Sequence, residues 1–108
     1  VESFFDDLKE NNAGENVIML LFSEFGRRVH DNGSGTDHGA AGAAFVIGES
    51  VKGGEYGEYP STNPEDLEQG DLVPNTDFRS VYTTIAENWM GLDANPLVGG
   101  TFEKPSFV

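Results

Sequence analysis

The chain has 108 residues, 37% hydrophobic and 11% aromatic, enough for a modest core in at most one domain and too apolar for wholesale disorder. A formal charge of −13 with six basic residues excludes the clustered Lys and Arg that phosphate neutralisation needs, so neither nucleic acid nor an anionic membrane surface is an expected partner. Without cysteine there is no disulfide framework, thiolate metal site or thiol nucleophile, and no run approaches the roughly 18 apolar residues of a membrane insertion.

In chain order, Val1–Asn12 reads as the last turns of an amphipathic helix. Phe4, Phe5 and Leu8 share one side, and Glu2, Asp6, Asp7, Lys9 and Glu10 the other; Asn11, Asn12 and Gly14 supply the stop. Val17–Phe22 is apolar throughout and reads as a strand covered on both faces. A helix feeding such a strand is one unit of an α/β alternation. Two covered faces need more material than this chain holds, and it starts in mid-pattern, so the expectation is a piece of a longer protein. Phe25–Ala41, Gly-rich and polar, reads as a loop over the strand end. Ala43–Ile47 reads as a second short strand ended by Gly48, Val51–Gly54 as a turn, and Glu55–Tyr59 as a brief exposed strand. Pro60–Pro74, with four acidic residues, reads as a long surface loop. Asn75–Met90 carries the clearest helical period: Phe78, Val81, Tyr82, Ile85 and Trp89 form one stripe. Asn75 or Thr76 is placed to cap it, Asp77 suits the positive end of the dipole, and Gly91 fits the position just past its end. Core packing is the expected role of that stripe. Beyond Asp93 the sequence loses its period and reads as an irregular tail, residues 94–108, draped through Leu97, Phe102 and Phe107.

The chemistry-bearing residues gather around the first strand's carboxyl end, where open α/β sheets place ligands. Glu24 lies just beyond the strand, His30 and Asp31 follow, and Asp37 and His38 stand in a Gly-rich stretch. Carboxylates and imidazoles suit Zn²⁺, Mn²⁺ or Fe, but an Asp-His pair among glycines is equally explained by turn chemistry, and no fixed ligand spacing decides between them. Arg27 and Arg28 suit bidentate capture of an oxyanion; the plainer reading is surface charge or a partner for Glu24. Ser23 lacks a nucleophile elbow and reads as a strand cap. Glu65, Asp66, Glu68 and Asp71 lack calcium-loop spacing and read as a solvated acidic loop.

The SEFGR, GTDHG, VKGG and TDFR boxes, in that order from Phe22 to Asp93, resemble the C-terminal part of the DUF1501 family, which is related to the alkaline phosphatase and sulfatase superfamily. The resemblance implies an α/β fold, a C-terminal fragment of an alkaline phosphatase-like three-layer sandwich spanning residues 1–93. By the superfamily analogy Glu24 takes the acidic place of the first ligand box, His38 that of a later ligand His, Asp37 a ligand or orienting place, and Arg27 that of an anion-binding group. Phe25 stands where a phosphatase has a ligand His, which removes one ligand from a two-metal site. The implied function is a divalent metal-dependent (Zn, Mn or Fe) hydrolase-like domain acting on phosphate or sulfate esters, the metal polarising the ester oxygen. The alternative is a non-catalytic binding or structural domain of an exported protein that keeps the fold. An exported or periplasmic location follows from relatives alone. The one-sided helix stripe and two-sided strand imply exposed apolar surface, covered by a missing N-terminal part of the same protein or by self-association.

Overall fold

A computed structural model describes residues 1–108 and shows four short strands in two separate antiparallel pairs, with three helices. Helix α1 spans Glu2–Glu10. Phe5 and Leu8 are half-buried, and Phe4 meets Phe5 edge to face at 5.4 Å. The helix ends where expected, with the Asn11 side-chain amide donating to the Asp7 carbonyl at 2.9 Å.

Strand β1, Met19–Leu21, forms inside the apolar run Val17–Phe22. β4, Phe45–Ile47, pairs with it antiparallel, Leu20 opposite Val46. β1 is not covered on both faces: its residues are half-buried and Phe22 is exposed, because the sheet ends after two strands.

Between them the stretch expected to be a loop is a hairpin. β2, Gly26–Asp31, pairs with β3, Thr36–Gly39, placing Arg27 opposite His38, with a register shift between Arg27 and Asp31. Residues 32–35 make the turn. The Gly33 amide donates to Asp31 Oδ1 (2.6 Å), the Ser34 amide to Asn32 Oδ1 (3.0 Å), and the Asn32 amide to the Gly35 carbonyl (2.7 Å). The base of the hairpin is pinned by Gly26, against which the Ala41 backbone lies so closely that a Cβ would collide with the Ala41 carbonyl group.

Residues 55–59 form no strand. Tyr56 donates its hydroxyl to the Lys52 carbonyl at 2.9 Å, and Asn75 anchors the Glu58 carbonyl at 2.5 Å, so the segment is tied irregularly. The acidic segment is a surface loop as expected, with one 3₁₀ turn at Pro64–Asp66 and a tight turn closed by reciprocal Glu68–Asp71 backbone bonds at 3.0 Å.

Helix α2, Phe78–Thr84, continues as a π-helical turn, Ile85–Trp89. Its N-cap is Asp77 rather than Asn75 or Thr76, the carboxylate accepting from the Arg79 amide at 2.9 Å. Gly91 takes φ +70° past the end, a conformation that costs a glycine nothing. The most buried positions here are Ser80, Thr83, Thr84 and Ala86, whereas Phe78 of the apolar stripe is 66% exposed. The tail explains the difference. After a short helix α3, Asn95–Val98, the chain returns across the small-residue face. Phe107 is 4% exposed, Lys52 N–H donates to its carbonyl (2.7 Å), Thr84 Oγ1 to the Pro105 carbonyl (3.0 Å), and Lys104 pairs with Glu87 (3.0 Å). The expected drape is therefore carried by Phe107 and by Phe102, whose ring lies 4.3 Å from the Arg79 guanidinium; Leu97 stays exposed.

The apolar residues that are fully buried are Ala41, Ala86, Ala94 and Phe107. The radius of gyration is 16.7 Å, against about 13 Å for a compact chain of this length. The accessible surface is 7722 Å², roughly 1,800 Å² above that of a compact monomer of this mass. No helix is long and apolar enough to cross a membrane.

Candidate functional site

The hairpin gathers some of the candidate residues and separates others. Directly opposed residues of an antiparallel pair project on the same face, so Arg27 and His38 share one side of the hairpin. Asp37, next to His38 in β3, projects to the other. Its Oδ1 accepts from Asn32 Nδ2 at 2.7 Å, so it fastens the turn and does not orient His38. Asp31 is likewise occupied by the Gly33 amide.

Glu24 stands in the bend between β1 and β2, exposed and without a hydrogen bond or ion pair. The Ser23 hydroxyl accepts from the Phe25 amide at 3.1 Å and shapes that bend, in keeping with a capping role. Phe25 then stacks on the His38 imidazole, ring centroids 4.8 Å apart and planes 26° from parallel. Phe25 thus holds the His38 imidazole against the bend. The imidazole nitrogens of His38 make no hydrogen bond within the chain. His30 is exposed and similarly unbonded, farther along β2.

Arg27 Nη1 donates to the Thr36 carbonyl at 2.6 Å, which ties the guanidinium across the hairpin and leaves its other N–H groups free for an anion. Arg28 serves a different place. Its Nη2 donates to the Gln69 carbonyl in the acidic loop. Gln69 has φ +53°, a conformation uncommon for a residue with a Cβ, and the Glu68–Asp71 turn holds it there. Asp71 completes the junction, accepting from the Ala40 amide (3.0 Å) and the Leu72 amide (2.8 Å). The resulting shallow polar cleft, about 230 Å³, is bounded by Arg28, Glu68, Gln69 and Asp71. Sequence reasoning placed Asp71 only in a solvated acidic loop and did not single out Gln69, since their partners lie about thirty to forty residues away.

Electrostatically the clearest perturbation lies elsewhere. Side-chain hydrogen bonds from Arg79 to Asp77 (2.7 and 3.0 Å), then the Arg79 amide, hold the Asp77 carboxyl down at about 2. Asp77 in turn raises Arg79. This pair starts α2 and is a helix cap.

As a test of metal fit, the hairpin corner offers donors of the right kind in Glu24 and His38, but no group of three or more His, Asp or Glu side chains is arranged to hold an ion. Even an open zinc-type site takes three protein ligands. These 108 residues alone do not make such a site.

A second cleft, about 430 Å³, is lined wholly by apolar side chains, among them Ile18 and Leu20 from the β1 region, Tyr82, Ile85 and Trp89 from the α2 stripe, and Leu97 from α3. The stripe therefore faces an open groove and not a closed core.

The chain belongs to the DUF1501 family, whose model, described as a protein of unknown function, matches residues 1–106. No curated protein and no solved structure matches it.

Proposed function

We propose that this chain is part of a metal-dependent hydrolase-like domain acting on phosphate or sulfate esters, within an alkaline phosphatase-like α/β sandwich. The carrying observation is the Phe25–His38 stack. It holds an unbonded imidazole beside the bend that bears the uncommitted carboxylate Glu24, on the same hairpin face as Arg27. In this reading Glu24 and His38 are two of the ligands, and the remaining donors come from outside the 108 residues. Arg27, braced on Thr36, binds the anionic part of the ester, while Asp37 sets the hairpin turn. Zn, Mn and Fe all accept such a mixed carboxylate and imidazole set. An exported or periplasmic location accompanies the reading by family resemblance.

A second reading is a non-catalytic binding or structural domain of an exported protein. The cleft at Arg28, Glu68 and Asp71 favours it, because that polar cleft lies against the acidic loop and not at Glu24 and His38. A panel of phosphate and sulfate esters, run on the natural polypeptide that carries residues 1–108, separates the two. The first reading expects turnover that Glu24→Gln reduces at least tenfold. Absence of turnover on every ester, in protein with a cooperative unfolding transition, rejects it in favour of the second.

A further inference from the structure

We infer that Asn32 is a modification site: the chain's own backbone converts its side-chain amide to a carboxylic acid, and the conversion unfastens the hairpin turn. Asn32-Gly33 is the one Asn-Gly pair in the chain. A glycine after the asparagine leaves the attacking amide nitrogen unobstructed, because it has no Cβ. A Cβ at Gly33 would meet nothing within 4 Å, and residues 31–35 are all exposed, so the peptide has room to turn and water has access. The hydrogen bonds of the turn supply the polarity that the reaction needs. The Gly33 amide donates to Asp31 Oδ1 at 2.6 Å, which sets a base on the proton of the attacking nitrogen. Asn32 Oδ1, where negative charge develops, accepts from the Ser34 amide (3.0 Å) and the Ser34 hydroxyl (3.3 Å), as an oxyanion would in a preorganised site. The same bonds make an Asx turn, which folds the Asn32 side chain back along the peptide that follows it.

The step balances without an oxidant or reductant. Gly33 N bonds to Asn32 Cγ and passes its proton to Asp31. Asp31 returns that proton to Nδ2, the Cγ–Nδ2 bond breaks, and ammonia leaves a cyclic imide. Water then opens the ring at either carbonyl, giving aspartate or isoaspartate at this position. Both products carry a free carboxylate and lack the Nδ2 that donates to Asp37 Oδ1 at 2.7 Å. A donor is thereby replaced by a charge of the same sign as Asp37 and Asp31, and the bond that fastens the turn is lost. Isoaspartate also lengthens the main chain by one methylene. The inference is independent of the esterase reading and uses none of Glu24, Arg27 or His38.

Peptide mass analysis of the natural polypeptide that carries residues 1–108, aged at neutral pH in the folded state and in guanidinium, tests it. Amide-to-acid conversion at Asn32 is expected to run at least as fast in the folded protein as in denaturant. Asp31→Ser, which keeps an acceptor for the Gly33 amide but removes the base, is expected to slow the folded protein's conversion about tenfold or more and to leave the denatured rate unchanged. Conversion slower in the folded protein than in denaturant overturns the proposal, since the turn then protects Asn32. A folded rate unaffected by Asp31→Ser overturns it as well. For the consequence, the backbone amide of Asn32 donates to the Gly35 carbonyl at 2.7 Å, and Asn32→Asp is expected to speed its hydrogen exchange at least about fivefold. Unchanged exchange in that variant overturns the unfastening of the turn.

Discussion

The hydroxyl of Thr84 is the point at which the tail is bonded to the helix interior, and removing it isolates that bond. Thr84 is fully buried, and its Oγ1 lies 3.1 Å from the Ser80 carbonyl and 3.0 Å from the Pro105 carbonyl. Thr84→Val keeps the shape and deletes the donor. The Pro105 carbonyl has no other hydrogen-bond donor, so the substitution leaves a half-buried acceptor unpaired, a loss of about 1–3 kcal/mol. Since Pro105 is not fully enclosed, the lower half of that range is expected. Thr84→Ser is the control: it keeps the donor and loses one methyl, about 0.8 kcal/mol. Denaturant unfolding of the natural polypeptide gives the global cost. The local readout is exchange of the Lys52 amide, which donates to the carbonyl of Phe107 two residues beyond Pro105. Thr84→Val should speed that exchange and Thr84→Ser should not. A Val variant within about 0.3 kcal/mol of the parent, with an unchanged Lys52 amide, refutes the claim that this bond secures the tail.

Two other perturbations probe the hairpin and the helix start. Gly26→Ala forces a Cβ into the Ala41 backbone, which has no flexible end to yield, so a loss of about 3 kcal/mol or more is expected in a melt; a loss under about 1 kcal/mol would mean the hairpin base is loose. The Asp77 carboxyl is depressed from 3.8 to about 2 by the Arg79 side-chain and amide hydrogen bonds. A depressed acid stabilises above its unfolded value, so this contribution is present above about pH 4 and disappears as pH falls toward 2. NMR titration of Asp77 should show the low midpoint, and Arg79→Met should move it back up; a midpoint near 3.8 in the parent would contradict the pair.

The elements with their own short-range signal were legible in the chain. α1, the cores of β1 and β4, the helix after Asp77, its Gly91 stop and the acidic loop follow from apolar period, caps and turn residues. The hairpin was missed because its strands have no core face. Arg27, His30, Asp37 and His38 are exposed, so no alternation of apolar and polar residues announces them. The available cue was Asn32-Gly33 between two strand-length segments, a hairpin signal that the surrounding glycines made resemble a loop. The stripe Phe78–Trp89 was found as a period, but a period shows only that residues share a face. Here that face borders the open groove, while Ser80, Thr83 and Thr84 take the tail because small side chains let Pro105 and Phe107 approach and their hydroxyls find carbonyls. For the site, proximity of Glu24 and His38 to the strand end was legible, and the division of labour was not. Asp37 turning to Asn32, Phe25 stacking on His38 and Asp71 reaching Ala40 depend on strand register and on contacts between distant residues.

Elemental analysis of the natural polypeptide carrying these residues, purified without chelator, beside its His38→Ala and Asp37→Ala variants, tests the central proposal most directly. The proposal expects near-stoichiometric Zn, Mn or Fe in the parent, most of it lost in His38→Ala and retained in Asp37→Ala, whose carboxylate serves the turn. Metal absent from the parent, or bound equally in parent and His38→Ala, contradicts the site and leaves the Phe25–His38 stack as a structural contact of the hairpin.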